Sequence, residues 1–130
     1  MIELYTWGTP NGRKVSIMLE ECGLPYRVHK IDIMKGEQFA PAYLAINPMG
    51  KVPAITHGGT VVTECAAICA YLADAFPAAG LAPALTDKLR GSYYRWLFFA
   101  AVPLEAAATN NAMGFQVPPE RTAMMGYGTL

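Results

Sequence analysis

The strongest constraint on this chain is the change of hydrophobic period in its opening residues. Residues 2–7, Ile2-Glu3-Leu4-Tyr5-Thr6-Trp7, have the β-branched and aromatic content of a short buried strand, and Gly8-Thr9-Pro10-Asn11-Gly12 breaks it with turn residues. From residue 13 the apolar positions Val15, Met18, Leu19 and Cys22 recur at helical spacing, and Gly23 with Pro25 supplies the stop. Residues 26–33 alternate again, as a second strand would. Strand, helix and strand in this succession make a βαβ unit, and hence a parallel pair.

The remainder extends that unit. Residues 34–37 read as a loop, and residues 38–46 as a short, weakly periodic helix ending before Asn47-Pro48-Met49-Gly50. Residues 51–57 form a third strand, Gly58-Gly59 is a hairpin signal, and residues 60–63 return antiparallel. Glu64 then opens a helix with Ala67, Ile68, Tyr71, Leu72 and Phe76 on one side, closed by Pro77. The expected order is βαβ-α-ββα, an α/β domain on a mixed four-stranded sheet. Residues 76–83 have the composition of a linker. Beyond them one long apolar helix is expected over residues 87–108, tolerating or kinking at Pro103. The expected division is an α/β domain over residues 1–80 and a partial all-α domain over residues 84–130.

Composition narrows the partners. With 10 basic and 10 acidic side chains among 130 residues, the formal net charge is zero, so no global field draws in nucleic acid or an anionic membrane. Arg95, Glu105 and Asn110 interrupt the most apolar stretch before it could span a bilayer. The N-terminus lacks the pattern of a secretory leader, which argues for the cytoplasm. Cys22, Cys65 and Cys69 are odd in number and lack the spacing of a zinc site, so they read as reduced thiols, with no metal expected. Apolar residues make up 53% of the chain and charged ones 15%, so some apolar surface should be covered by another chain.

Three places could carry chemistry. The turn Thr9-Pro10-Asn11-Gly12 sits at a helix start, where unpaired backbone N–H groups and the helix dipole favour a thiolate, and where Thr9 and Asn11 can donate protons to it. Taken alone it reads as helix capping, and only together with the other segments as a thiolate site. In Lys51-Val52-Pro53 a proline opens a strand; a cis Val52–Pro53 bond would turn the Val52 backbone outward to pair with an extended peptide, and an ordinary edge proline is the alternative. At Thr63-Glu64-Cys65-Ala66-Ala67-Ile68 an acidic side chain beside free N–H groups can hold the ammonium and carboxylate of an amino acid, or merely complement the dipole.

In this order and on this framework, the three segments resemble the glutathione transferase family. The resemblance covers residues 1–80 through Thr9-Pro10-Asn11-Gly12-Arg13-Lys14, Asn47-Pro48-Met49-Gly50-Lys51-Val52-Pro53 and Thr63-Glu64-Cys65-Ala66-Ala67-Ile68, and continues more loosely through Trp96, Phe98 and Phe99. The Thr-Pro-Asn turn is similar to that of bacterial transferases lacking a thiol-activating tyrosine or serine, some of which reduce disulfides with glutathione. The resemblance implies a thioredoxin-like domain with glutathione as co-substrate. Its thiol would lie near Thr9 and Asn11, its cysteinyl backbone on Val52 beside cis Pro53, its γ-glutamyl end on Glu64 and Cys65, and its glycyl carboxylate near Lys51 and Gln38. The second substrate would be a hydrophobic electrophile or a disulfide, and the assembly a homodimer.

Some positions depart from the family's pattern. Residue 65 is Cys where Ser is usual, which admits a mixed disulfide with glutathione or a serine-like role for its backbone. Tyr5 lies inside its strand and reads as packing, Trp7 is better placed to face a second substrate, and Cys22 reads as core. His29 and His57 are isolated, so neither a metal site nor a catalytic base is expected from them. The helical region holds one long helix and the start of another, so Tyr93, Tyr94, Trp96, Leu97, Phe98 and Phe99 are expected to be short of apolar cover. The competing function is a non-catalytic module that holds glutathione or a protein partner.

Overall fold

The computed structural model describes residues 1–128; Thr129 and Leu130, the end of the expected helical region, lie outside the described residues. The chain divides into two compact units, Met1–Ala82 and the residues from Pro83 onward.

In the first unit β1 (Ile2–Thr6) leads to α1 (Pro10–Glu21) and β2 (Tyr26–Lys30), followed by a short 3₁₀ turn (Glu37–Phe39) and α2 (Pro41–Leu44). The hairpin β3 (Ala54–His57) and β4 (Thr60–Thr63) then runs into α3 (Cys65–Ala75). The strands lie in the order β2-β1-β3-β4, with β1 and β2 parallel and the other pairs antiparallel. This is the expected thioredoxin-like arrangement on a mixed sheet. Ile2, Leu4 and Thr6 alternate toward one face, where Ile2, Leu4 and Ile55 pack with Val15 and Leu19 of α1 and Ile68 and Leu72 of α3 into the core. Tyr5 points the other way by strand alternation, and there it stacks on His29 at 4.6 Å and meets Tyr43 of α2 at 6.1 Å. Tyr5 is therefore packing, as its position in the strand suggests.

Where the boundaries differ from expectation, the causes are local. Helix α1 begins at Pro10 rather than residue 13, because Thr9 caps it and a proline at the first helical position gives up an N–H that would be unpaired anyway. Strand β2 stops at Lys30; Ile31 N–H still reaches Thr6 O at 2.9 Å, but Asp32 then turns the chain, its side chain accepting from Met34 N at 3.0 Å. The single helix expected over residues 38–46 is two pieces, since Pro41 forces Ala40 into extended backbone (ψ 140°) and starts a new turn. Pro53 precedes β3 instead of opening it, so it costs the sheet no ladder bond.

In the second unit α4 (Arg90–Phe99) passes through a π-helical turn (Ala100–Leu104) into α5 (Glu105–Ala112), and a 3₁₀ segment (Pro119–Met124) follows. The start is delayed from residue 87 because Asp87 caps the turn, its carboxylate accepting from Leu89 N at 2.8 Å. Pro103 lies inside the π turn, whose wider spacing absorbs the missing donor without ending the helix. The Arg90 guanidinium donates to Pro83 O at 2.7 Å and to Tyr94 Oη at 2.8 Å, tying the entry of α4 to its first turn. Trp96 and Phe98 are 55% and 61% exposed, and Tyr94 and Phe99 are exposed as well, in line with the shortage of apolar cover expected there; Tyr93 and Leu97 are half-buried.

Candidate functional site

The sheet's register brings the three sequence segments to one end. Tyr5 pairs with Ala54 and Ala54 with Thr63, so the exit of β1, the entry to β3 and the exit of β4 lie side by side. The next residues on these three paths are the Trp7–Gly12 turn, Val52–Pro53 and Glu64–Cys65. The Cys65 thiol donates to Asn11 O at 3.6 Å, which sets the N-termini of α1 and α3 against each other.

At the first terminus Thr9 Oγ1 accepts from Gly12 N at 3.1 Å, so the capping role is realised. An accepting hydroxyl keeps its own proton to donate, so capping and holding a thiolate are compatible. Asn11 Oδ1 accepts from Lys14 Nζ at 2.9 Å, which orients the side-chain amide and brings a cation to the turn. Gly12 is buried where a Cβ would lie 2.3 Å from Trp7 O and 2.5 Å from Thr6 Oγ1, and only glycine lets α1 press on the end of β1 so closely.

At the second terminus Glu64 has φ 70° and ψ 120°; no other non-glycine residue described has positive φ. Its side chain makes no capping bond and is exposed, so the carboxylate is not spent on capping its own helix, while the backbone is strained. Behind it, a hydrogen bond with Cys65 and then burial push the Cys69 thiol well above the ordinary thiol range, with Lys14 opposing. Cys69 is thus held protonated. Burial, with a smaller push from Glu21, raises the Cys22 thiol, which packs against the core as expected. None of the three cysteines is in a disulfide.

The Val52–Pro53 peptide is cis, as the family resemblance implies. Pro53 is buried, Val52 half-buried and Lys51 exposed. The Lys51 carbonyl is held by two side chains, accepting from Tyr43 Oη at 2.5 Å and from Asn47 Nδ2 at 2.8 Å. Neither of these was singled out in the sequence, although Asn47 belongs to the Asn-Pro turn. Gln38 Nε2 donates to Ile33 O at 3.4 Å, while its Oε1 is buried without a hydrogen-bond partner. Beside the first helix start an open cleft of about 490 Å³ is lined by Thr6, Trp7, Gly12, Arg13, Val28 and Lys30 among others. Trp7 therefore faces a cleft.

His57 Nδ1 lies 2.8 Å from Tyr71 Oη, and His29 Nε2 lies 2.5 Å from Glu3 Oε2; both histidines are engaged in packing partnerships. Among the described residues no cluster of three or more His, Cys, Asp or Glu side chains is placed to hold a metal ion, and no helix is long and apolar enough to cross a membrane.

Residues 9–75 match the family model for the glutathione S-transferase N-terminal domain. The chain belongs to the glutathione transferase family. It is 41% identical over 106 residues to the disulfide-bond oxidoreductase YfcG of Escherichia coli, a match covering 76% of this chain and 48% of that protein. A glutathione transferase homologue from Sulfitobacter, solved with bound glutathione, superposes with a TM-score of 0.75 at 31% identity, covering 96% of this chain and 61% of that one. A family member from Pseudomonas fluorescens, solved with two glutathione molecules bound, gives 0.66 at 40% identity over 75% of this chain and 44% of that one. The chain spans 30–48% of the length of the curated relatives it matches.

Proposed function

We propose that this chain binds glutathione across the end of the sheet and activates its thiol, for conjugation to electrophiles or for reduction of disulfides. The observation that carries the reading is the meeting of the α1 and α3 N-termini beside a cis Val52–Pro53 bond. The dipoles of two helix starts favour the anionic ends of a small peptide, and a backbone edge lies between them. The thiol sits at Thr9 and Asn11, the cysteinyl backbone on Val52, the γ-glutamyl group on Glu64 and Cys65, and the glycyl carboxylate near Lys51 and Gln38. The glutathione bound in the Sulfitobacter and Pseudomonas structures supports glutathione as the ligand.

Hydrogen bonds from the Thr9 hydroxyl and the Asn11 amide favour the ionised thiol, as does the helix dipole, so a useful fraction is thiolate at neutral pH. With an electrophile the thiolate sulfur forms the new bond and the leaving group departs with the electron pair. With a disulfide it forms a mixed disulfide and expels one thiolate; a second glutathione thiolate then attacks the glutathione sulfur of that mixed disulfide, expelling the other half as a thiolate and leaving glutathione disulfide. The second substrate rests in the cleft beside Trp7. The similarity to YfcG supports the disulfide branch. The protein acts in the cytoplasm as a homodimer, with α3 and α4 near the interface; the exposed aromatics of α4 favour association.

Turnover of a generic aromatic electrophile and of hydroxyethyl disulfide, each with Asn11→Ala as control, tests the reading. Loss of one charge-assisted hydrogen bond should lower kcat about tenfold or more in the variant. Unchanged turnover would remove Asn11 from the site, and glutathione binding without turnover in either assay would favour the non-catalytic module.

A further inference from the structure

The geometry points to Tyr43 and Asn47 as positioning residues that aim the Val52 N–H at the ligand by clamping the carbonyl of the same peptide unit. This rests on the glutathione reading above and deepens it. A trans peptide is planar, with C=O and N–H pointing in opposite directions, so whatever fixes the Lys51 carbonyl also fixes the Val52 N–H. The Lys51–Val52 peptide is trans, since Val52–Pro53 is the cis bond found among the described residues. Its carbonyl receives two donors at once, Tyr43 Oη at 2.5 Å and Asn47 Nδ2 at 2.8 Å, and both residues are buried, 3% and 4% exposed. Two buried donors leave this peptide little freedom to rotate.

The donors are themselves held. Tyr43 packs against Tyr5, which stacks on His29, and His29 is fixed by Glu3. Asn47 Oδ1 accepts from Met49 N at 3.1 Å, and the Asn47 carbonyl accepts from Gly50 N at 2.9 Å. Gly50, at φ 61°, would place a Cβ 2.9 Å from the Phe39 ring, so the loop closes tightly. The clamp thus reaches from the far face of the sheet to the ligand-facing backbone. It touches no reacting atom, and its effect falls on affinity rather than on the chemical step.

Tyr43→Phe keeps the ring and removes one donor; Asn47→Asp keeps the acceptor for Met49 N and removes the other. Each should weaken binding of glutathione about five- to tenfold by calorimetry, as expected for one lost hydrogen bond. The double variant should lose less than the product of the two, because both donors serve one carbonyl. The same loss is expected for γ-glutamylcysteine, which retains the cysteinyl backbone that Val52 would meet. The pH profile of kcat at saturating glutathione should not move, whereas a general loosening of the site would shift it. Equal affinity of wild type and folded Tyr43→Phe overturns the clamp, as does a loss confined to glutathione, which would place the effect at the glycyl end. Should Tyr43→Phe not fold, Asn47→Asp carries the same decision. Absence of binding by wild type would instead overturn the glutathione reading beneath it.

Discussion

Glu64 holds a conformation its side chain disfavours, and replacing it separates what its backbone costs from what its carboxylate does. At φ 70° and ψ 120° a residue with a Cβ is strained by about 1–3 kcal/mol, which glycine escapes. Glycine in turn loses about 0.4–1 kcal/mol more than alanine through the entropy of the unfolded chain. Comparing Glu64→Gly with Glu64→Ala removes the carboxylate from both, so only these two terms differ. Near the middle of each range the difference is about 1 kcal/mol in favour of glycine. In a chain of this size that corresponds to a Tm difference of about 4 °C. Urea unfolding followed by circular dichroism reads the stability, and calorimetry with glutathione reads the site. Glu64→Gly should be the more stable variant, and both should bind glutathione at least about tenfold more weakly than wild type, through loss of a charge-assisted contact. Alanine as stable as glycine would refute the strain, and full affinity in both variants would refute the role of the carboxylate.

Other consequences follow from individual side chains. Gly12→Ala pushes a Cβ into Trp7 O and Thr6 Oγ1, and should cost about 1–3 kcal/mol in urea unfolding. Burial raises the Tyr43 phenol above its ordinary value, with a smaller push from Tyr5 and against a lowering contact with Asn47. The native state therefore keeps this proton longer than the unfolded chain. The stability it contributes is complete below the ordinary phenol pKa of about 10 and is lost as pH rises through the higher folded value. Wild type should thus lose its advantage over Tyr43→Phe in unfolding experiments above about pH 10. The Cys69 thiol should resist iodoacetamide at pH 8 in the native protein and react once unfolded, as read by peptide mass mapping; native labelling at the rate of an exposed thiol would contradict its held proton.

The sequence carried the order of elements because hydrophobic period and turn residues are local signals. Ile2 to Thr6 alternates, Val15 and Leu19 recur at helical spacing, and Gly58-Gly59 closes a hairpin; each of these needs only near neighbours to be read. Thr9, Val52–Pro53 and Glu64 were also legible, since a cap, a proline and a helix start are written in single residues. Boundaries set by competition were not. The break at Pro41 depends on Ala40 taking extended backbone, and the passage of Pro103 depends on a π turn that no local pattern announces. The positive φ of Glu64 has no signal at all, because glutamate ordinarily avoids it. Tyr43 and Asn47 looked like parts of a short helix and a turn; that they converge on one carbonyl emerges only when the loop folds back on itself.

The most direct test is a glutathione titration of ¹⁵N-labelled protein followed by amide resonances. The largest shifts are expected at the N–H groups of Val52 and Cys65, with those of the first turn of α1 close behind, and they should saturate together with one apparent Kd. Saturable shifts confined to other parts of the chain, or none in a well-folded sample, would contradict glutathione binding at this end of the sheet.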